Sequence, residues 1–134
     1  MRNSAARRRG SGLVESALAL LVFAVLVAGI MELGLVLFVS NSIAFAAQRA
    51  ARYASMRGAR SGHPATGSEV RDNALSYAGP LSTGALSVAV TWTPDNTPGS
   101  TVQVKVSCAI RPLLLPLSAG VLNLESTARQ SIVQ

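Results

Sequence analysis

The feature that most constrains this chain is a long apolar run near its N-terminus. From Ser16 to Gln48 the sequence has 33 residues and one charged side chain, Glu32. No proline interrupts the run, and leucine and alanine, which are good helix formers, are its commonest residues. Since about 20 apolar residues suffice to cross a bilayer, the run predicts one helix that spans a membrane and continues beyond it.

The basic residues are concentrated at the two ends of this run. Four of the 12 arginines and lysines lie in the first ten residues. The rest of the chain has eight basic and six acidic residues, a net charge of +2. The overall charge of +6 therefore owes much to a terminal segment typical of membrane targeting. Four more arginines follow the run between residues 49 and 60, so counting basic residues leaves the orientation open. The first group directly abuts the apolar run, which favours a cytoplasmic N-terminus.

The helix is expected to run from about Leu13 to Arg57 and to change character along its length. Between Ser16 and Met31 every face is apolar, as lipid or a helix bundle requires. Farther on, a stripe of small apolar residues is predicted to lie against a folded domain, and a different face carries arginines that meet water or head groups. The stripe comprises Ile43, Ala47, Ala50 and Ala54, and the basic face comprises Arg49, Arg52 and Arg60.

A small domain is predicted behind the helix, and the chain as a whole is expected to be α+β. Thr66 and Glu69 have the spacing of a capping box for a short helix, which Gly79-Pro80 ends. Three stretches with period-two alternation then predict a three-stranded antiparallel sheet, with Pro112 and Pro116 in the connection before the third strand. The alternating residues are Leu86, Val88, Val90 and Trp92; Val102, Val104, Val106, Cys108 and Ile110; and Leu122, Leu124, Ser126 and Ala128.

The sequence offers little to a catalytic or metal site. His63 is the only histidine and Cys108 the only cysteine, too few for a zinc site of ordinary ligand count within one chain. No nucleophile elbow, glycine-rich phosphate loop or nucleic-acid recognition module is present. We therefore expect no enzyme activity, no metal, no cofactor and no nucleic-acid partner, and we expect Cys108 to be a buried structural thiol.

The residues "RRRGSGLVESALALLVF" resemble the processing site of type IV prepilin-like proteins. A basic leader with Arg7, Arg8 and Arg9 ends at Gly10, and Glu15 is the fifth residue after that glycine. Across most of its length the chain is similar to the TadE-like family of the tight-adherence (Flp, type IVb) pilus system. The family's further features are matched by Val14-Glu15, Glu32-Leu33-Gly34 and "AAQRAARYA".

The resemblance implies cleavage between Gly10 and Ser11 by a prepilin peptidase. Cleavage after Gly12 would leave Glu15 only third in the product, so the family pattern selects Gly10. The implied function is that of a minor pilin or pseudopilin in pilus assembly for adhesion or secretion. The implied partners are other pilin or pseudopilin subunits, the inner-membrane assembly platform and membrane lipid.

Three segments are expected from this reading: a cytoplasmic leader at 1–10, a transmembrane and assembly helix at 11–57 and an extracytoplasmic domain at 58–134. The membrane span is placed at about residues 16–37. Close helix packing is expected at Ala24, Ala28, Gly29 and Gly34. Glu32 either marks the outer boundary of the span or pairs with a neighbouring subunit. The protein is expected to cross the inner membrane once, or to lie within an extracellular pilus.

Three alternatives remain open at this point. The first is an uncleaved, signal-anchored membrane protein whose domain is a binding module. The second is a secreted domain released after Ala44-Phe45-Ala46, although the apolar region before that site is far longer than an ordinary signal peptide's. The third is a basic DNA-binding protein, which the apolar helix opposes.

Overall fold

The computed structural model describes residues 4–82, 86–111 and 121–133, with side chains from residue 12 onward except those of residues 80 and 82. It confirms the predicted α+β architecture, a long helix followed by a short helix and a three-stranded antiparallel sheet. The predicted connection with Pro112 and Pro116 lies outside the described residues. In chain order the elements are α1 (Ser4–Met56), α2 (Gly67–Tyr77), a 3-10 turn (Gly79–Ser82), β1 (Leu86–Thr93), β2 (Thr101–Ile110) and β3 (Leu122–Ser131).

Helix α1 has 53 residues, so at 1.5 Å per residue it is about 80 Å long. It begins at Ser4, before the predicted start near Leu13, and its backbone is helical through Gly10 and Ser11. At the other end Arg57 N donates to Ala54 O at 3.2 Å, and the chain then turns away at Gly58. Arg60 therefore lies beyond α1, and the prediction that it shares a helix face with the preceding arginines was wrong.

Helix α2 begins and ends where the sequence predicts. Thr66 N donates to a Glu69 carboxylate oxygen at 2.9 Å, and Glu69 N donates to Thr66 Oγ1 at 3.3 Å, which completes the capping box. The backbone hydrogen bond from Thr66 holds the pKa of Glu69 below its usual value. The helix stops after Ala78, because Gly79 adopts a positive φ of 57°, a backbone conformation that glycine takes at little cost.

The sheet has the order β1-β2-β3, and both pairings are antiparallel. Its inner face has the predicted alternation. On the central strand Val102, Val104, Val106 and Cys108 are buried, whereas the inner residues of β1 are half-buried. The outer face is mostly polar, exposed on β1 and β3 and half-buried on β2, and there Lys105 Nζ lies 2.8 Å from a Glu125 carboxylate oxygen. One face of the sheet thus belongs to the core and the other to solvent.

The core lies between this inner face, α2 and the second half of α1. The predicted stripe of α1 is confirmed, since Ile43, Ala47, Ala50 and Ala54 are each at most 1% exposed. Val39 extends the stripe towards the N-terminus, and Val70 and Ala74 of α2 pack into the same cluster. Since alanine side chains are short, they allow α1 to approach the sheet and α2 closely.

Backbone hydrogen bonds from the residues after β3 connect the C-terminal end of α1 to the sheet. Val133 N donates to Ser55 O at 3.1 Å, and Ile132 N donates at 2.8 Å to the O atom of Ser100, the residue before β2.

In the β1–β2 loop an Asp95 carboxylate oxygen accepts from Thr97 Oγ1 at 2.5 Å and from Ser100 Oγ at 2.8 Å. These hydrogen bonds, the one from Thr97 first, hold the pKa of Asp95 below its usual value.

The tight fit of the alanine stripe can be tested with Ala50→Leu. Because Ala50 is fully buried, the larger side chain should destabilise the domain by about 1–3 kcal/mol. Unfolding of the full-length protein in detergent, followed by the fluorescence of Trp92, the single tryptophan, measures this change. Ala17→Leu is the matched control, because Ala17 is exposed on the same helix. Equal stability of the two variants would contradict a close-packed stripe.

Candidate membrane and assembly site

The first half of α1, from Gly12 to Met31, is largely exposed and is called the bare segment. Every described side chain from Gly12 to Val27 is exposed, and the cover by the rest of the chain begins at Ala28 and Gly29, which are half-buried. Glu32 is the first buried residue, at 9% exposure. The segment from Gly12 to Met31 is about 30 Å long at 1.5 Å per residue, which equals the thickness of a bilayer's hydrocarbon core.

Most exposed side chains of this segment are apolar, and many of them are large. Leu13 is 72% exposed and Met31 is 71% exposed, values that a soluble helix of this composition would not tolerate over its whole circumference. Among the described residues, α1 is the one helix long and apolar enough to cross a membrane. An N-terminal apolar helix of this kind is consistent with a membrane-anchored protein.

The exposed apolar surface of α1 ends at different residues on the two sides of the helix. On the side of the domain the cover is in place at Glu32, and Val39 and Ile43 are buried. On the other side Leu33, Leu37 and Phe38 stay more than half exposed. On that side the exposed apolar row therefore extends to Phe38, one residue beyond the predicted end of the span, and the span itself stays a prediction.

Glu32 lies at the junction between the bare and the covered parts of α1. Its burial comes from its own chain, since the structure contains a single copy. Both interpretations of this residue, a position at the outer boundary of the span and pairing with a neighbouring subunit, stay predictions. The sequence alone placed Glu32 inside a run with apolar residues on every side, and gave no sign that it would be buried.

Glu15 lies near the opposite end of the bare segment. It is exposed, and on the same helix face follow Leu18, Ala19 and Val22. The next residue, Ser16, donates from Oγ to Gly12 O at 2.9 Å. Its hydroxyl therefore has a hydrogen-bond partner within the helix, also when the surroundings are apolar. Glu15 is thus a carboxylate on an otherwise apolar surface, close enough to the start of the span to reach the interface.

The small residues predicted for helix packing leave open space on the surface of α1. Ala24 and Gly34 are exposed, and Ala28 and Gly29 are half-buried. A Cβ atom added at Gly29 or at Gly34 would meet nothing within 4 Å. Internal packing among the described residues therefore does not require glycine at either position, and both positions allow the backbone of another helix to approach closely.

A cluster of arginines and aromatic rings on the second half of α1 was not predicted. Arg49 Cζ lies 5.1 Å from the centre of the Phe45 ring and 5.7 Å from that of Tyr77. Arg57 stacks on Tyr53 at 4.6 Å and donates to its hydroxyl oxygen at 2.8 Å. The spacing of four residues in Phe45–Arg49 and Tyr53–Arg57 was the available signal, because such pairs meet on a helix surface.

The groups that could carry other chemistry are not brought together. Within the described residues no cluster of three or more His, Cys, Asp and Glu side chains could hold a metal ion. Cys108 is buried as predicted, and its burial raises the pKa of the thiol. The side chains of Arg7, Arg8, Arg9, Gly10 and Ser11 lie outside the described part, although their backbone belongs to α1.

The fold and the bare helix are consistent with a single-helix, membrane-anchored protein that carries a small α+β domain. Residues 10–52 match the family model described as TadE-like protein. The resemblance predicted from the sequence is thus confirmed over this segment, which contains Gly10, Glu15 and Glu32. The segment includes the whole bare part of α1 and most of the alanine stripe. No curated protein and no solved structure matches the chain.

The position of the span can be tested by moving a positive charge along α1. Leu21→Arg places it near the middle of the bare segment, where insertion should become less favourable by about 2.5–3.5 kcal/mol. Ser40→Arg places the same charge at an exposed residue beyond the span and should leave insertion unchanged. Alkaline extraction of membranes measures the inserted fraction of each variant. Equal loss in both variants would contradict the proposed span.

Proposed function

We propose that the chain is a minor pilin or pseudopilin that a prepilin peptidase cleaves after Gly10. The observation that carries this proposal is the bare helix, which has Gly10 and Glu15 at one end and a folded domain at the other. The family match begins at Gly10 and covers this whole helix, which points to a Tad pilus system. The domain is then the part that faces outward and contributes to initiation, tip structure or adhesion.

The chemistry of the N-terminal end supports cleavage at this position. Before cleavage the arginines of the leader hold the first residues in the cytoplasm, beside a membrane-embedded peptidase. The bond to be cut lies within a helix, and Gly10 and Gly12 flank Ser11. Each glycine in a helix interior costs about 1 kcal/mol relative to alanine, so α1 is locally easy to unwind for cleavage.

Glu15 has a role once the new N-terminus exists. Cleavage creates an α-ammonium group on Ser11, and in an apolar assembly an unpaired charge is costly. Ser11 and Glu15 are four residues apart on one helix face, about 6 Å along the axis. The family resemblance supports pairing of the Glu15 carboxylate of one subunit with the terminal amine of its neighbour. Packing of α1 helices through Ala24, Ala28, Gly29 and Gly34 would bring such groups together.

The partners in this proposal are the prepilin peptidase, other pilin or pseudopilin subunits and the assembly platform of the inner membrane. The N-terminus is inside and the domain outside, either in the membrane or in an extracellular pilus. The second candidate is an uncleaved, signal-anchored protein whose domain binds an extracytoplasmic partner. It is favoured by the continuous helix through Gly10 and Ser11, which requires no processing to be stable.

The N-terminus and intact mass of the protein from its native membranes test the proposal. The expected product begins at Ser11, disappears in a strain without the peptidase, and disappears in Gly10→Leu, since a bulky side chain should not fit the cleavage site. Gly12→Leu is the matched control and should leave the cut unchanged. A chain that still begins at Met1 or Arg2 in the wild type would overturn the pilin proposal and favour the signal-anchored protein.

A further inference from the structure

Two clefts on either side of Arg49 and Arg52 form the strongest surface without an assigned role. Both arginines are exposed, and they lie three residues apart on the second half of α1. Each cleft is lined by both of them. The first cleft, about 250 Å³, also has Phe45, Gln48 and Gln130; the second, about 200 Å³, also has Tyr53, Met56, Asn73 and Tyr77.

Arg49 is held in place by two aromatic rings. The rings of Phe45 and Tyr77 lie 6.0 Å apart and nearly perpendicular, at 79°, and Arg49 Cζ lies within 6 Å of both ring centres. An aromatic face does not use up the N–H groups of a guanidinium, so they can still donate to a ligand. Because Tyr77 belongs to α2 and Phe45 to α1, the arrangement is fixed by the fold rather than by one flexible side chain.

Neither arginine has an anionic partner in the described part of the chain. The ion pair found there joins Lys105 and Glu125 on the outer face of the sheet. In the second cleft the Asn73 Oδ1 atom is buried and has no hydrogen-bond partner among the described residues. Two guanidinium groups without an anionic partner thus border both clefts, and a ligand with anionic oxygens would satisfy them.

The clefts are too far from the bilayer for lipid head groups. Arg49 lies 18 residues beyond Met31, the end of the bare segment, and 12 residues beyond the predicted end of the span at residue 37, which is about 27 Å and about 18 Å along α1. The head-group layer adds only about 5–8 Å to each side of the hydrocarbon core. Even with a tilt of 40° the arginine would remain about 14–20 Å above the core, beyond the head-group layer. A protein partner above the membrane can reach this height, whereas lipid of the same membrane cannot.

We propose that Arg49 and Arg52 form a docking site for an acidic segment of a partner protein. Carboxylates of the segment receive bidentate hydrogen bonds from the guanidinium groups. The inference stands on the folded domain and its clefts, and does not depend on processing at Gly10.

The test uses the full-length protein in phosphatidylcholine nanodiscs and a fluorescently labelled hexaglutamate peptide as probe. We expect saturable binding, measured by fluorescence anisotropy, that weakens at least about tenfold in Arg49→Gln/Arg52→Gln. The matched control is Arg71→Gln/Arg111→Gln, which removes two exposed charges outside the clefts and should bind the peptide almost as the wild type does. Circular dichroism and Trp92 fluorescence verify that each variant is folded.

A conservative variant and two competitors sharpen the outcome. Arg49→Lys/Arg52→Lys keeps both charges but loses the planar fork, so it should bind several-fold more weakly than the wild type. Equal losses in the two glutamine double variants would reduce the effect to net charge and overturn the site. Displacement of the peptide by equimolar inorganic phosphate would indicate a simple anion site instead. Displacement by phosphatidylglycerol in the disc would indicate lipid, and either result overturns the proposal, as does absence of saturable binding.

Discussion

The packing of the alanine stripe of α1 against the sheet and α2 is the contact on which the rest of the structure depends. Ala47, Ala50 and Ala54 have no exposed surface, and they fill the space above the buried row of β2. A domain of this size with few aromatic residues has little other core. If the second half of α1 were withdrawn, Val102, Val104 and Val106 would face water, so the helix is an integral part of the domain.

The same helix continues without interruption into the bare segment. The structure has no linker between the bare segment and the domain, because both are parts of α1. With the bare segment in a membrane, the height of the domain above the bilayer would be set by the length of this helix. Movement of the bare segment, whether in lipid or in an assembly of subunits, must move the domain with it.

This rigid connection also gives the exposed features of α1 fixed relative positions. Glu15 lies near the start of the bare segment, the open positions at Gly29 and Gly34 lie near its end, and the clefts at Arg49 and Arg52 lie about 27 Å farther on. A partner that contacts the small residues of α1 within the membrane therefore meets the arginines at a defined distance. This arrangement suits a subunit that assembles through its helix and is recognised through its domain.

Most of the fold could be predicted from local sequence patterns, because each pattern reflects interactions between residues that are close in sequence. The capping box of Thr66 and Glu69, the alternation in β2 and the alanine stripe each depend on residues that are close in sequence. The leader is predicted to be a charged targeting segment that precedes the helix. Alanine and arginine in "SAARRR" are good helix formers, however, and α1 extends through them.

Features made by distant parts of the chain escaped prediction. The stacking of Arg49 on Tyr77 joins α1 to α2, and the burial of Glu32 requires the chain to return over α1. Neither contact leaves a periodic signal in the sequence. The position of Arg60 was missed for a related reason, because the turn after Met56 is fixed by hydrogen bonds to the β1–β2 loop, such as that from Ala59 N to Asn96 O at 2.7 Å.

The central claim is that one continuous helix serves as membrane segment and as part of the domain's core. Hydrogen exchange of the full-length protein in nanodiscs, measured over increasing denaturant, tests it most directly. We predict that residues 39–54 lose protection together with β2, in one cooperative step, while residues 12–27 remain protected by lipid. Loss of protection in residues 39–54 while β2 stays protected would contradict the claim, because the sheet would then have a core without α1.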